Sequence, residues 1–160
     1  MLPEIAHFCL ILSLCFASLL SLVPLAGTFL HDNRMMRTAR PLALIMFVFV
    51  AAAFFGLMAL FVQDDFSVRI VAHTSNLSLP MFYKVTAVWG GHEGSLLLWA
   101  FILACWMAAV AVFSREIPDD MIARVLAVMG MVAVGFLLFS LLTSNPFERL
   151  LPGIPADGKD

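Results

Sequence analysis

Residues 89–99 read WGGHEGSLLLW. One histidine and one glutamate, His92 and Glu93, stand among Gly90, Gly91 and Gly94, with Trp89 ahead and an apolar run behind. An imidazole beside a carboxylate can move protons or help to hold a metal, and its surroundings decide which. At the start of an apolar helix, unpaired N–H groups and the helix dipole favour the Glu93 carboxylate. The same field disfavours a protonated imidazole, so His92 tends toward the neutral form. A neutral ring offers the lone pair that a haem iron or another metal takes. The three glycines remove side chains, so a second backbone or a flat ligand can come close. A polar helix cap beside an interfacial tryptophan uses the same residues, and the pattern alone leaves both readings open. The motif is not a zinc-protease helix, because the second histidine of H-E-x-x-H is replaced by Leu96. Nor is it a Walker loop, since no Gly-Lys-Ser/Thr follows.

The remaining chemistry-bearing residues are dispersed. Cys9, Cys15 and Cys105 lie in apolar runs and form neither C-x-x-C nor C-x-x-C-H. Thiol–disulfide exchange and covalent haem carriage on this chain are thereby set aside. His7, His31 and His73 each stand alone and read as hydrogen-bonded surface or interface residues. Trp99 and Trp106 are seven residues apart, on one helical face, and suit core packing or a lipid-facing stripe; they could also face the ligand of His92.

The elements that position these residues follow from composition. Of the 160 residues, 62% are hydrophobic and 12% charged. Soluble domains carry about twice that charge, so the apolar surplus must face lipid. Four uncharged stretches, 8–30, 42–62, 95–113 and 125–143, are long enough to cross a bilayer as helices. The expectation is an all-α integral membrane protein, a single membrane domain over 1–160 with an outer loop at 63–94 and an outer tail at 144–160. Pro24 and Gly27 are expected to interrupt the end of the first span. Small residues at every fourth position, Ser13-Ala17-Ser21, Ala104-Ala108 and Ala52-Gly56, would let helix backbones approach one another. Glu4, with no lysine or arginine before the first span, argues against a cleaved signal peptide.

Arginines set the orientation. Arg34, Arg37, Arg40, Arg115 and Arg124 crowd the two short connections at 31–40 and 114–124. Arg69, Lys84, Arg149 and Lys159 are spread over the much longer remainder. The basic connections are therefore expected in the cytoplasm and both termini, with the 63–94 loop, outside. A net charge of −2 without an extended basic cluster excludes a nucleic-acid partner. In the loop, Phe66, Val68 and Ile70 alternate with Ser67 and Arg69, which predicts a short strand. Pro80 to Trp89 reads as a segment at the membrane interface, with an apolar surface and Lys84 free to reach water.

Three blocks, MLPEIAHF at the start, WGGHEGSLLLW in the middle and SNPFERLLPGIPADGKD at the end, are distinctive together. The chain resembles the N-terminal portion of the cytochrome c-type biogenesis haem lyases (the CcmF/NrfE family). The resemblance implies a subunit of the cytochrome c maturation haem lyase in the bacterial inner membrane, with both termini periplasmic. It implies haem b as cofactor. The partners it implies are the remaining part of the lyase, a haem chaperone, an apocytochrome-handling subunit, apocytochrome c and membrane lipid. The family's tryptophan-rich segment and haem-ligating histidines lie further along than residue 160, so none can be carried over. The expectation is therefore a partial or truncated product, or one piece of a split protein, not catalytically complete alone. The residues of the motif, Trp89, Gly90, Gly91, His92, Glu93 and Gly94, are the ones expected near haem. Two other readings stand beside this one: a non-enzymatic scaffold or assembly helper for a respiratory complex, and a transport element. No acid or base lies mid-span, which disfavours transport.

Overall fold

A computed structural model describes residues 1–150, 153 and 155–158. Among the described residues seven helices follow in order: α1 (Leu2–Leu30), α2 (Asn33–Arg37), α3 (Ala39–Val62), α4 (Arg69–Thr74), α5 (Met81–Ala87), α6 (His92–Phe113) and α7 (Asp119–Leu142). Four of them, α1, α3 with the short α2 ahead of it, α6 and α7, are long and apolar enough to cross a membrane. The chain is an all-α, multi-pass membrane protein.

The four long helices alternate in direction. α1 packs on α3 and α7, and α6 closes the bundle against α3 and, more loosely, α7. Without a hydrophobic force between helices in lipid, close packing must come from small residues and shape. The first stripe supplies it: Ser13, Ala17 and Ser21 are all buried. A Cβ placed on Gly130 of α7 would stand 3.2 Å from the Ser21 nitrogen and 3.4 Å from the Ala17 oxygen, so α1 and α7 cross there almost backbone to backbone. A Cβ on Gly56 of α3 would approach Ala6 of α1 to 2.9 Å. Its predicted companion Ala52 is exposed, and Ala104 is buried with Ala108 only partly so. Aromatic stacking adds shape: Phe54 lies parallel to Phe101 at 4.8 Å between α3 and α6, and Phe16 on Phe49 at 5.5 Å between α1 and α3. The hydroxyls of Ser13, Ser18, Ser21 and Thr28 donate to carbonyls one turn earlier, which satisfies them within lipid.

Two local expectations are corrected. α1 is not interrupted at Pro24; it runs on to Leu30 with Pro24 buried inside it, and His31 ends it in the left-handed region at φ 55°. Gly27 serves the turn that follows, where a Cβ would stand 2.7 Å from that of Met35. The strand expected from the alternation at 66–70 does not form. Among the described residues, β pairing is limited to one isolated antiparallel bridge between Val68 and Arg149, and Arg69 opens helix α4. Val68, Ile70, Val71 and Ala72 are all buried, so the segment packs as a helix where a strand would find too little partner edge.

The two ends of the bundle differ. At one end, Arg37 pairs with Asp119 at 3.1 Å and Arg40 donates to the Ser114 carbonyl at 3.0 Å, joining the two arginine-rich connections. At the other end lie the start of α1, the end of α3, α4, α5, the start of α6 and the segment after α7.

Candidate functional site

The WGGHEG motif opens α6 at the end opposite the two arginine-rich connections. Gly91 is the N-cap residue in extended conformation and His92 the first helical residue, with Glu93 in the first turn as the dipole favours. His92 is exposed. Its Nδ1 is 3.1 Å from the Ser144 Oγ, and its ring meets Phe139 edge-on at 6.1 Å. Phe139 lies in the last turn of α7 and Ser144 two residues past its end, so His92 fastens the start of α6 to the far end of α7, with no partner for Nε2 among the described residues. Below it, Leu96, Val132, Gly135, Phe136 and Phe139 line an apolar groove of about 290 Å³ at the loose α6–α7 seam. A Cβ on Gly135 would meet nothing within 4 Å.

Glu93 belongs to a charged collar. The Arg69 guanidinium is 2.7 Å from Glu148 and 3.8 Å from Glu93. The Arg69 amide also donates to the Glu148 carbonyl at 2.8 Å. Arg149 pairs with Glu4 of α1 and donates to the Ser67 Oγ at 3.1 Å. Leu150 donates to the Ser67 carbonyl at 2.9 Å. The collar thus ties the loop, α1, α6 and the segment after α7 into one surface. A cleft of about 330 Å³ opens in it, lined by Pro3, Glu4, His7, Asn145, Phe147, Glu148 and Arg149. His7 packs edge-on to Phe147 at 6.3 Å, and its Nδ1 has no partner among the described residues.

The glycines of the motif serve the backbone. A Cβ on Gly94 would overlap the Val88 carbonyl oxygen and stand 2.9 Å from its carbon. On Gly91 it would press the Ile70 side chain at 3.3 Å, and on Gly90 the Ala87 carbonyl oxygen at 3.2 Å. Trp89 is partly exposed, and its carbonyl accepts from the Ser95 hydroxyl at 2.8 Å. Trp99 and Trp106 are 60% and 65% exposed on α6, so neither ring is packed in the core of this chain. Lys84, expected to reach water, instead turns inward. It is buried and pairs with Asp64, which sits just past α3 in the left-handed region at φ 53°. The carboxylate there offers Lys84 a better partner than a partly apolar interface would.

Ser144, Phe139, Arg69 and Asp64 were not singled out as site residues from the sequence. Their partners are 20 to 79 residues away, and no local pattern marks them. The end block called distinctive extends beyond this surface; residues 151, 152, 154, 159 and 160, Lys159 among them, lie outside the described residues.

The family described as Cytochrome C assembly protein matches residues 89–160, beginning at Trp89. The cytochrome c-type biogenesis protein CcmF of Pseudomonas aeruginosa is 56% identical over all 160 residues, which cover 24% of that relative. The Escherichia coli protein of that name is 54% identical, with 25% of it covered. NrfE of Haemophilus influenzae is 44% identical, with 25% covered. A solved structure described as Cytochrome c Heme Lyase CcmF superposes on 96% of this chain and 26% of its own length, with a TM-score of 0.86 and 26% identity. Over its whole length the chain is similar to the N-terminal part of CcmF proteins. It spans about a quarter of the length of the relatives it matches.

Proposed function

We propose that this chain forms the N-terminal helices of a cytochrome c maturation haem lyase and helps to hold haem for covalent attachment to apocytochrome c. The observation that carries the reading is the likeness to CcmF proteins along the whole of this chain, joined to a histidine whose ring packs on Phe139, a lining residue of an apolar groove. In this reading the arginine-rich end faces the cytoplasm of a bacterial inner membrane, and the His92 end faces the periplasm with both termini. The remaining part of the lyase, a haem chaperone and an apocytochrome-handling subunit are the partners.

The residues of this chain fit one side of haem b. His92 offers a single imidazole Nε2, with Nδ1 engaged by Ser144, which is how ligating histidines are commonly oriented. The groove beneath it is apolar, and Gly135 leaves it open. Bound haem supplies the vinyl groups that receive cysteine thiols. This chain's share is placement: Ser144 and Phe139 fix the imidazole, the Gly94–Val88 contact fixes the turn before α6, and the collar keeps Glu93 paired.

The test pairs this chain with the rest of the lyase in cells lacking the native one. Co-expression restores c-type cytochromes, and the purified complex shows a haem absorption spectrum that changes in His92→Ala while the protein still folds. An identical spectrum removes His92 from the haem site. Unchanged cytochrome assembly in that variant favours the scaffold reading. Failure of the two parts to co-purify refutes the subunit assignment.

A further inference from the structure

We propose that α5 is a membrane-surface anchor whose Met81–Phe82–Tyr83 arc is immersed in the lipid interface beside the four spans. The height of α5 is fixed at both ends. Asp64, two residues past α3, holds Lys84 by an ion pair, and only Val88 to Gly91 separate α5 from the start of α6. α5 therefore lies at the level where two spans leave the hydrocarbon.

Its rotation is fixed too. Lys84 is the only charged residue between 77 and 89, and it points into the protein. Val88 is buried on the same side. Met81, Phe82 and Tyr83 are left outward at 59%, 73% and 58% exposure, with Leu77 at 57% nearby. Ordinary interfacial helices turn apolar residues into lipid and lysine out to water. Here the lysine is withdrawn and the arc offers no charge with which to select a charged partner. Apolar rings and one phenol at the boundary of a membrane protein match the aromatic belt that anchors spans at the headgroup level. The arc continues toward Trp89 at the head of α6, whose lateral face carries the exposed Trp99. The surface is thus continuous with the lipid-facing side of the spans, and lipid is its occupant.

The test uses the full chain in vesicles of phosphatidylcholine and phosphatidylglycerol. Cys9, Cys15 and Cys105 are replaced by alanine, and single spin labels are placed by Phe82→Cys, Tyr83→Cys, Trp99→Cys and Glu116→Cys. Collisions with oxygen, which partitions into lipid, are compared with those of a water-soluble nickel chelate. The oxygen-to-nickel ratio at 82 and 83 is expected several-fold above that at 116 and toward that at 99. A ratio equal to that at 116 overturns the proposal, because the arc then faces water. Exclusion of both reagents at 82 and 83 also overturns it, because protein then covers the arc. If a cysteine variant does not fold, Phe82→Trp serves instead. Quenching of its added fluorescence by brominated lipid supports the proposal, and quenching by aqueous acrylamide alone overturns it.

Discussion

Replacing Gly94 with alanine tests the geometry on which the His92 turn rests. In an unobstructed helix, alanine is favoured over glycine by about 0.8–1 kcal/mol. At Gly94 the added methyl meets the Val88 carbonyl, oxygen and carbon both, and neither atom belongs to a flexible side-chain end. Overpacking costs typically ~1–3 kcal/mol, and a backbone obstacle belongs in the upper part of that range. Subtracting the helix gain leaves a net loss of about 1–2 kcal/mol, roughly 5- to 30-fold in the folding equilibrium. Gly135→Ala is the matched control, since nothing lies within 4 Å of its Cβ; it is expected to be neutral or stabilising by up to ~1 kcal/mol. The assay is unfolding by sodium dodecyl sulfate in mixed micelles, followed by far-ultraviolet circular dichroism. Gly94→Ala as stable as Gly135→Ala would refute the close approach of the Val88 carbonyl to α6.

Lys84→Met leaves the Asp64 carboxylate partly buried without its cation; a cost of about 2 kcal/mol is expected, below the ~3–5 of a fully buried pair because Asp64 keeps some contact with water. Faster hydrogen exchange over residues 64–90, with the four spans still protected, is the readout. Ser144→Ala removes one hydrogen bond, about 1 kcal/mol, and is expected to weaken haem retention by the assembled lyase less than His92→Ala does; an equal loss would deny His92 its primary place. Leu77→Cys is expected to react with a membrane-impermeant maleimide in spheroplasts, and Glu116→Cys only after permeabilisation; the reverse pattern would invert the orientation. Trp106→Leu on the exposed face of α6 is expected to change stability by no more than ~0.5 kcal/mol, and a larger loss in the micelle assay would place that ring in a packed contact.

The spans were legible because hydrophobicity is summed along the chain: four uncharged stretches cannot be solvated and need no partner to declare themselves. The start of α6 was legible for a similar reason, since Gly91, His92 and Glu93 obey local rules of helix ends. The 63–94 loop was not. Its alternation at 66–70 satisfies a strand and an amphipathic single turn alike, and the burial of Val68, Ile70 and Val71 decided for the helix.

By itself, the sequence determined that this protein crosses a membrane four times, where α6 begins, and that its charge is divided unequally between the two ends of the bundle. Those properties reside in single residues and their neighbours. Only the tertiary structure decided that Ser144 holds His92, that Arg69 joins Glu93 to Glu148, that Lys84 turns inward to Asp64, and that the bareness of Gly94 is taken up by the Val88 carbonyl. Each of the four side-chain pairings joins segments well apart in the chain, and the Gly94 contact depends on how tightly a turn folds onto α6. Such contacts depend on how the elements meet in space, which no local pattern of residue types encodes.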